Sequence, residues 1–413
     1  MTPHRPALRA RRVASARTAR EPGAPPVPDR GERTTGAGTP GTVRRGRGQG
    51  VAVLVAALAA AGIAGCSASD DQPSGSASGA AGAPRTSPPA SSGPTGERGI
   101  RVLTTGLEAP WGIAFLPGGE ALVTERDSAR ILRVPAAGGA ATEVQRLSEV
   151  DGGGEGGLLG IALSPGYARD GLVYVYYTTA EDNRIARMRL GDRPEPIVTG
   201  IPRSGIHNGG RLLFGPDGYL YAGTGDASDS GRSQDVGSLG GKILRMTSDG
   251  RPAPGNPFGD SLVFSTGHRN VQGLAFDSAS RLWASEFGQN RFDEVNRIEA
   301  GRDYGWPTVE GPSDDPRFVQ PLVTWDTSDA SPSGVTIVGS TLYVAALRGE
   351  RLWQVPLDGR GGVGPPQATL VGEYGRLRAV VEAPDGALWL LTSNRDGRGD
   401  PTADDDRILR LTR

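Results

Sequence analysis

Six times along the chain an alternating apolar run is followed by a Pro, Asp or Gly turn and then by a second apolar and aromatic run. The copies are Trp111–Leu116 with Ala121–Val123, Leu159–Leu163 with Leu172–Tyr176, Arg211–Phe214 with Tyr219–Tyr221, Gly273–Phe276 with Arg281–Trp283, Gly334–Val338 with Leu342–Val344, and Val380–Ala383 with Leu388–Leu390. Period-two alternation on both sides of a tight turn predicts a β-hairpin. Successive turns fall roughly 45 to 62 residues apart, the spacing of four-stranded propeller blades with variable loops. A second phrase, basic outside and apolar inside, recurs at Arg130–Val134, Lys242–Met246, Arg351–Val355 and Arg407–Leu411, and predicts outer blade strands. The expectation is an all-β, six-bladed β-propeller of four-stranded antiparallel blades. A two-sheet sandwich has the same local periodicity but gives no reason for six repeats.

Composition agrees with many short strands, because 64 Gly and 33 Pro among 413 residues disfavour long helices. The formal net charge is −1, but eleven arginines among residues 1–50 face three acidic residues, so the first fifty carry +8 and the rest −9. A mildly acidic body excludes a general nucleic-acid binder. Three segments are expected. Residues 1–65 form an N-terminal extension ending in a lipoprotein signal peptide, whose apolar core Val51–Gly65 follows Arg44, Arg45 and Arg47. Residues 66–96 form a Ser/Gly/Pro-rich tether from Cys66, and residues 97–413 the propeller. Ile63-Ala64-Gly65-Cys66 resembles a lipobox, which predicts lipidation of Cys66 and an extracytoplasmic domain held to the outer face of the cell membrane by lipid alone. Cys66 is the only cysteine, so the chain can form no internal disulfide.

Outside the extension the chain has two histidines, His207 and His268. His207 lies in a glycine-rich segment, Gly205–Arg211, which frees it from any strand core and lets backbone approach a ligand; a surface turn histidine fits as well. His268 is a similar candidate. Asp226 ends the run Leu220–Gly225, as a side chain aimed into a central channel or a turn cap would. Asp293-Glu294 and the run Asp396, Asp400, Asp404, Asp405, Asp406 offer hard oxygen ligands suited to Ca²⁺, and fit a solvated acidic loop equally. Arg376 and Arg378 share one face of an extended segment, as capture of carboxylates requires, although 44 of the 45 basic residues are arginine.

Ala109-Pro110-Trp111-Gly112, Thr124-Glu125-Arg126, Gly156–Gly160, His207–Arg211, Gly225-Asp226, Gln234-Asp235, Gly241-Lys242, Gly267–Gly273, Asp293–Asn296 and Asp303–Pro307 occur in one order. Together they resemble the pyrroloquinoline-quinone (PQQ)-dependent soluble glucose/sorbosone and aldose sugar dehydrogenases over residues 100–413. The resemblance implies oxidation of the anomeric carbon of an aldose to the lactone, with His207 as general base and Asp226 as its support. It implies cofactor contacts at Glu155, Arg269, Asn270, Arg348, Arg376 and Arg378. It also implies Ca²⁺ on the Gly288 and Gln289 carbonyls and a second calcium site at Glu294 and Tyr304. Departures from the family pattern are Ile206 for an acidic residue, Glu155 for glutamine, Phe287 for glutamine, Gln289 for proline and Arg348 for lysine. They point toward the broad-specificity aldose branch. Expected partners are an aldose sugar and an electron acceptor, a membrane quinone or a cytochrome. A metal-dependent sugar-lactone hydrolase and a non-catalytic binding propeller are the alternatives.

Overall fold

Each hairpin seen in the sequence forms the two inner strands of a four-stranded antiparallel sheet, and the computed structural model, which describes residues 99–413, holds six such sheets. The innermost strands are Pro110–Phe115, Leu158–Leu163, Leu212–Phe214, Val271–Phe276, Pro332–Val338 and Leu377–Glu382. They stand around a central channel with apolar clusters packed between neighbouring blades. The fold is therefore the expected six-bladed propeller. The extension, the signal peptide, the tether and Cys66 lie outside the described residues. Among the described residues no helix is long and apolar enough to cross a membrane.

Two features differ from expectation. The basic-apolar phrases are third strands, as at Arg130–Val134 and Ile408–Leu411, and not the outermost ones. Two of the outermost strands, Thr142–Arg146 and Gln367–Thr369, are short and polar, so they lack the apolar signature by which a strand is recognised. The sixth blade takes its outer strand from the other end of the domain. Ile100–Thr104 pairs with Ile408–Leu411, matching Ile100 to Leu411 and Val102 to Leu409, which closes the ring by hydrogen bonds between the chain ends.

Near the channel axis the blades approach so closely that side chains are excluded at fixed positions. A Cβ on Gly160 would lie 2.1 Å from the Gly210 carbonyl oxygen, and one on Gly273 would lie 2.3 Å from that of Ser333. Five of the innermost strands carry a register shift here, between Pro110 and Ile113, Leu158 and Ile161, Val271 and Gly273, Pro332 and Val335, and Leu377 and Ala379. Such bulges re-aim side chains. The residues at these bulges include Trp111, Gln272, Ser333 and Arg378, which together cross the channel.

Candidate active site

At the end of the channel where the innermost strands begin, two loops meet. His207 has φ of 59°, a left-handed conformation that a non-glycine residue holds only when its surroundings enforce it. The enforcing contacts are visible. Its N–H donates to Glu155 Oε2 at 2.9 Å, and its carbonyl accepts from Ala227 N at 3.1 Å. Gly225 lies so close that a Cβ there would sit 1.9 Å from the His207 carbonyl oxygen. The glycines thus let two loops of the protein approach each other, a different role from admitting a ligand.

His207 Nδ1 lies 2.7 Å from Asp226 Oδ1. The other oxygen of Asp226 accepts from Trp306 Nε1 at 2.9 Å, and Oδ1 also accepts from Ser228 N. Burial alone would raise the Asp226 carboxyl, but these donors outweigh it and hold the group below its usual range. An ionised Asp226 fixes the proton on Nδ1 and leaves Nε2 as an acceptor, and Nε2 has no hydrogen-bond partner among the described residues. His207, Asp226, Arg269, Gln289, Trp306 and Glu310 line a cavity of about 560 Å³.

A second, tighter hollow is linked to it by two hydrogen bonds, from His207 N to Glu155 Oε2 and from Arg269 Nη1 to the Phe287 carbonyl. Four arginines (Arg126, Arg376, Arg378 and Arg398) line it against two carboxylates, Glu155 and Asp396. Asp396 Oδ2 accepts from Arg376 at 2.9 and 3.1 Å and from Arg378 at 3.5 Å. Arg398 donates to Glu155 Oε1 at 2.8 Å. Burial would raise the Glu155 carboxyl, yet the His207 N–H and Arg398 hold it low, so the exchange of glutamine for Glu155 is offset by a cation that the sequence did not single out. For Arg378 the contact with Asp396 does not outweigh burial, which pulls the guanidinium down to about 9.

Around the two cavities some donors have nothing to donate to: Arg378 lines the hollow, Arg269 lines the His207 cavity, and Asn270 follows Arg269 in the chain. Arg269 Nε, Asn270 Nδ2 and Arg378 Nε are buried without a partner, a costly state that an acceptor-rich ligand would relieve. Asn270 Oδ1 meanwhile accepts from Gly209 N at 2.9 Å, which ties this residue to the His207 loop.

Other candidates fall elsewhere. His268 is fully buried, 2.8 Å from Ser265 Oγ and 3.0 Å from Glu286 Oε1, with its ring stacked on Tyr304 at 4.7 Å. It is a core residue that braces Glu286, which in turn accepts the Arg269 N–H. Arg348 is exposed and makes no hydrogen bond among the described residues; its neighbour Leu347 lines the hollow instead. The acidic run divides: Asp400 and Asp404 are exposed, whereas Asp396, Asp405 and Asp406 are buried and engaged by protein donors. Asp396 pairs with arginines, Asp405 with Arg407 and Thr402, and Asp406 accepts from Ala109, Asn394 and Arg395 N–H groups beside the ring closure. Trp306, Arg398 and Glu310 are site residues that the sequence left unmarked. Trp306 joins Asp226 to Arg269, whose guanidinium lies 5.4 Å from its ring centre.

The loop bearing the Gly288 and Gln289 carbonyls is pinned by Glu310 Oε1, which accepts from Gln289, Asn290, Arg291 and Phe292 N–H groups. Behind it, Glu294 accepts from Asn296 Nδ2 and Gly311 N, and the Tyr304 hydroxyl is taken up by Arg297 O and Glu299 N. Burial first, and Glu286 second, push the Glu294 carboxyl up to about 8. Between its ordinary value of 4.5 and that value the folded chain holds a proton that the unfolded chain has released, so this group's contribution to stability falls as pH rises through the window. Asp293, raised to about 6, adds the same sign of dependence below that pH. Glu294→Gln is therefore expected to raise the melting temperature at pH 8.5 by roughly 2–5 °C, as about 1–2 kcal/mol would, and to leave it nearly unchanged at pH 4.5. Thermal unfolding in chelator-containing buffer across this range checks the sign.

The family model for glucose / sorbosone dehydrogenases matches residues 107–410. The PQQ-bound form of aldose sugar dehydrogenase from Streptomyces coelicolor is 54% identical and superposes with a TM-score of 0.73, covering 77% of this chain and 99% of that one. A glucose dehydrogenase-like oxidoreductase structure from Thermus thermophilus is 43% identical, with a TM-score of 0.72, covering 76% of this chain and 100% of that one. The aldose sugar dehydrogenase YliI of Escherichia coli is 28% identical over 338 residues, which is 72% of this chain and 91% of that protein.

Proposed function

The chain belongs to the glucose/sorbosone dehydrogenase family, and we propose on that footing that it oxidises aldose sugars at the anomeric carbon to the lactone, with PQQ and Ca²⁺ as cofactors. The observation that carries this reading is the His207–Asp226 pair, 2.7 Å apart, with Nε2 unpartnered at a cavity that adjoins a hollow of surplus guanidiniums.

The residues present fit a tricarboxylate. Arg376, Arg378, Arg269 and Asn270 hold it, the buried unpaired nitrogens of the last three supplying donors and the surplus positive charge supplying affinity. Arg398 stands ready as a further cation once freed from Glu155. The carbonyls of Gly288 and Gln289 hold the calcium ion, on a loop that Glu310 keeps rigid. When bound, the quinone with its metal supplies the hydride acceptor that no amino-acid side chain can provide. Among the described residues His207 does the proton chemistry. Neutral and with Nδ1 protonated, it accepts the proton of the anomeric hydroxyl at Nε2, and Asp226 stabilises the imidazolium formed. Ile206, exposed beside it, offers the sugar no hydrogen bond, which supports broad aldose acceptance. Glu294 and Tyr304 bound a small void at the same loop and form the second, structural calcium site of this reading. Lipidated Cys66 keeps the domain on the outer face of the membrane, where a quinone or a cytochrome takes the electrons.

A hydrolase built on side-chain metal ligands would need no cationic clamp, so the arginines around Arg376 and Arg378 favour the quinone reading over it. The test is reconstitution of the purified chain with PQQ and Ca²⁺ and dye reduction against an aldose panel. Turnover that needs both additions is the expected result. Absence of quinone binding would overturn the proposal.

A further inference from the structure

The channel does not end at the cofactor hollow. On the far side of Trp111 it widens into a funnel of about 480 Å³ that opens at the hairpin turns, the end opposite His207. Apolar side chains such as Ile113, Phe115, Leu163, Phe214, Phe276 and Ile337, from the innermost strands and their ends, line it beside a comparable extent of polar surface. At its apex sits Arg211, only 9% exposed. The guanidinium stacks on the Trp111 ring at 4.3 Å, while Arg378 approaches the same ring at 5.9 Å. Trp111 thus forms a partition, with the hollow of four arginines on one side and the funnel on the other.

Arg211 is poorly satisfied. Its Nε donates to the Gln272 carbonyl at 2.7 Å, but neither terminal nitrogen donates to anything among the described residues, and Nη2 is fully buried without a partner. Among the described residues no carboxylate opposes this: burial alone acts on the group and pulls it down to about 10. A buried, unpaired cation at the tip of a funnel ringed by apolar side chains is costly for the free protein and complementary to an anion with an apolar body. The anion must be small enough to reach the apex and carry an apolar body to cover the wall, and the volume lies within the usual range for such ligands.

We infer that this end of the channel is a second binding site, for an ionised medium-chain alkyl carboxylate whose head meets the Arg211 guanidinium and whose chain fills the funnel. A neutral alcohol of the same length gains only the apolar contacts. A bare inorganic anion gains only the charge.

Calorimetric titration of the full chain with octanoate, 1-octanol and sulfate at pH 7.5 tests this. Octanoate is expected to bind one per chain, at least about tenfold tighter than octanol or sulfate, the advantage a hydrogen-bonded charge pair confers. Arg211→Met should reduce octanoate to the level of octanol. Thr336→Trp, which fills the funnel from a half-buried wall position, should abolish binding of both and keeps the test decisive if the Arg211 variant does not fold. Octanoate affinity should be the same in His207→Ala, because His207 lies at the opposite end of the channel and does not line the funnel. Equal affinity for octanoate and octanol, sulfate binding as tight as octanoate, or octanoate binding undiminished in Thr336→Trp would each overturn the assignment.

Discussion

Replacing His207 with alanine is expected to lower kcat/KM of the PQQ- and Ca²⁺-loaded protein for aldoses by roughly 10²–10⁴-fold, the range a positioned general base contributes. Stability should change little. The imidazole sits in a loop at the cavity, and its packing contributes nothing to the six blade cores. Removing it leaves Asp226 with Trp306 and Ser228 as donors, so the carboxylate is not stranded. Asp226→Asn is expected to cost turnover as well, because an amide no longer fixes the proton on Nδ1. Dye-linked turnover and a thermal melt on the same preparations check both statements. Full activity in His207→Ala would place the base elsewhere.

Arg378→Met separates binding from stability. Arg378 is wholly buried, its Nε is unpaired, and its share of Asp396 is a 3.5 Å contact against 2.9 Å for Arg376. Deleting it leaves Asp396 still paired and removes a desolvated charge, so the cofactor-free protein should melt no lower than the parent. Affinity for the quinone should fall about 100-fold or more, as truncation of one partner of a buried charge pair does. Equilibrium titration by absorbance and a melt of the cofactor-free form measure the two quantities. A less stable protein with unchanged affinity would make Arg378 a structural residue only.

Blade number and hairpin positions were legible because inner strands are buried on both faces and so stand out as short, near-continuous apolar runs between turns, as at Leu220–Gly223 and Leu388–Thr392. The outer strands were not, since half their surface faces solvent. The residues themselves offered two separate candidates, and only the family resemblance paired them; nothing in the spacing of His207 and Asp226 states that Gly225 and Asn270 press their loops together. His268 carries the same local signals as His207, yet one is core and the other site. Their difference lies in what packs around them, Ser265, Glu286 and Tyr304 in the first case and open cavity in the second.

The sequence by itself determined the propeller, the order of its motifs, and the family, because alternation, turns and residue identities are local properties that survive translation into one dimension. Tertiary structure alone decided which charges meet. Arg398 neutralises Glu155 across 243 positions, and Arg378 reaches Gln272 across 106. Closure of the ring by Ile100–Thr104 on Ile408–Leu411 likewise joins segments some three hundred residues apart. Electrostatic compensation and burial depend on distance in space, and a closed ring brings together residues that no spacing along the chain relates.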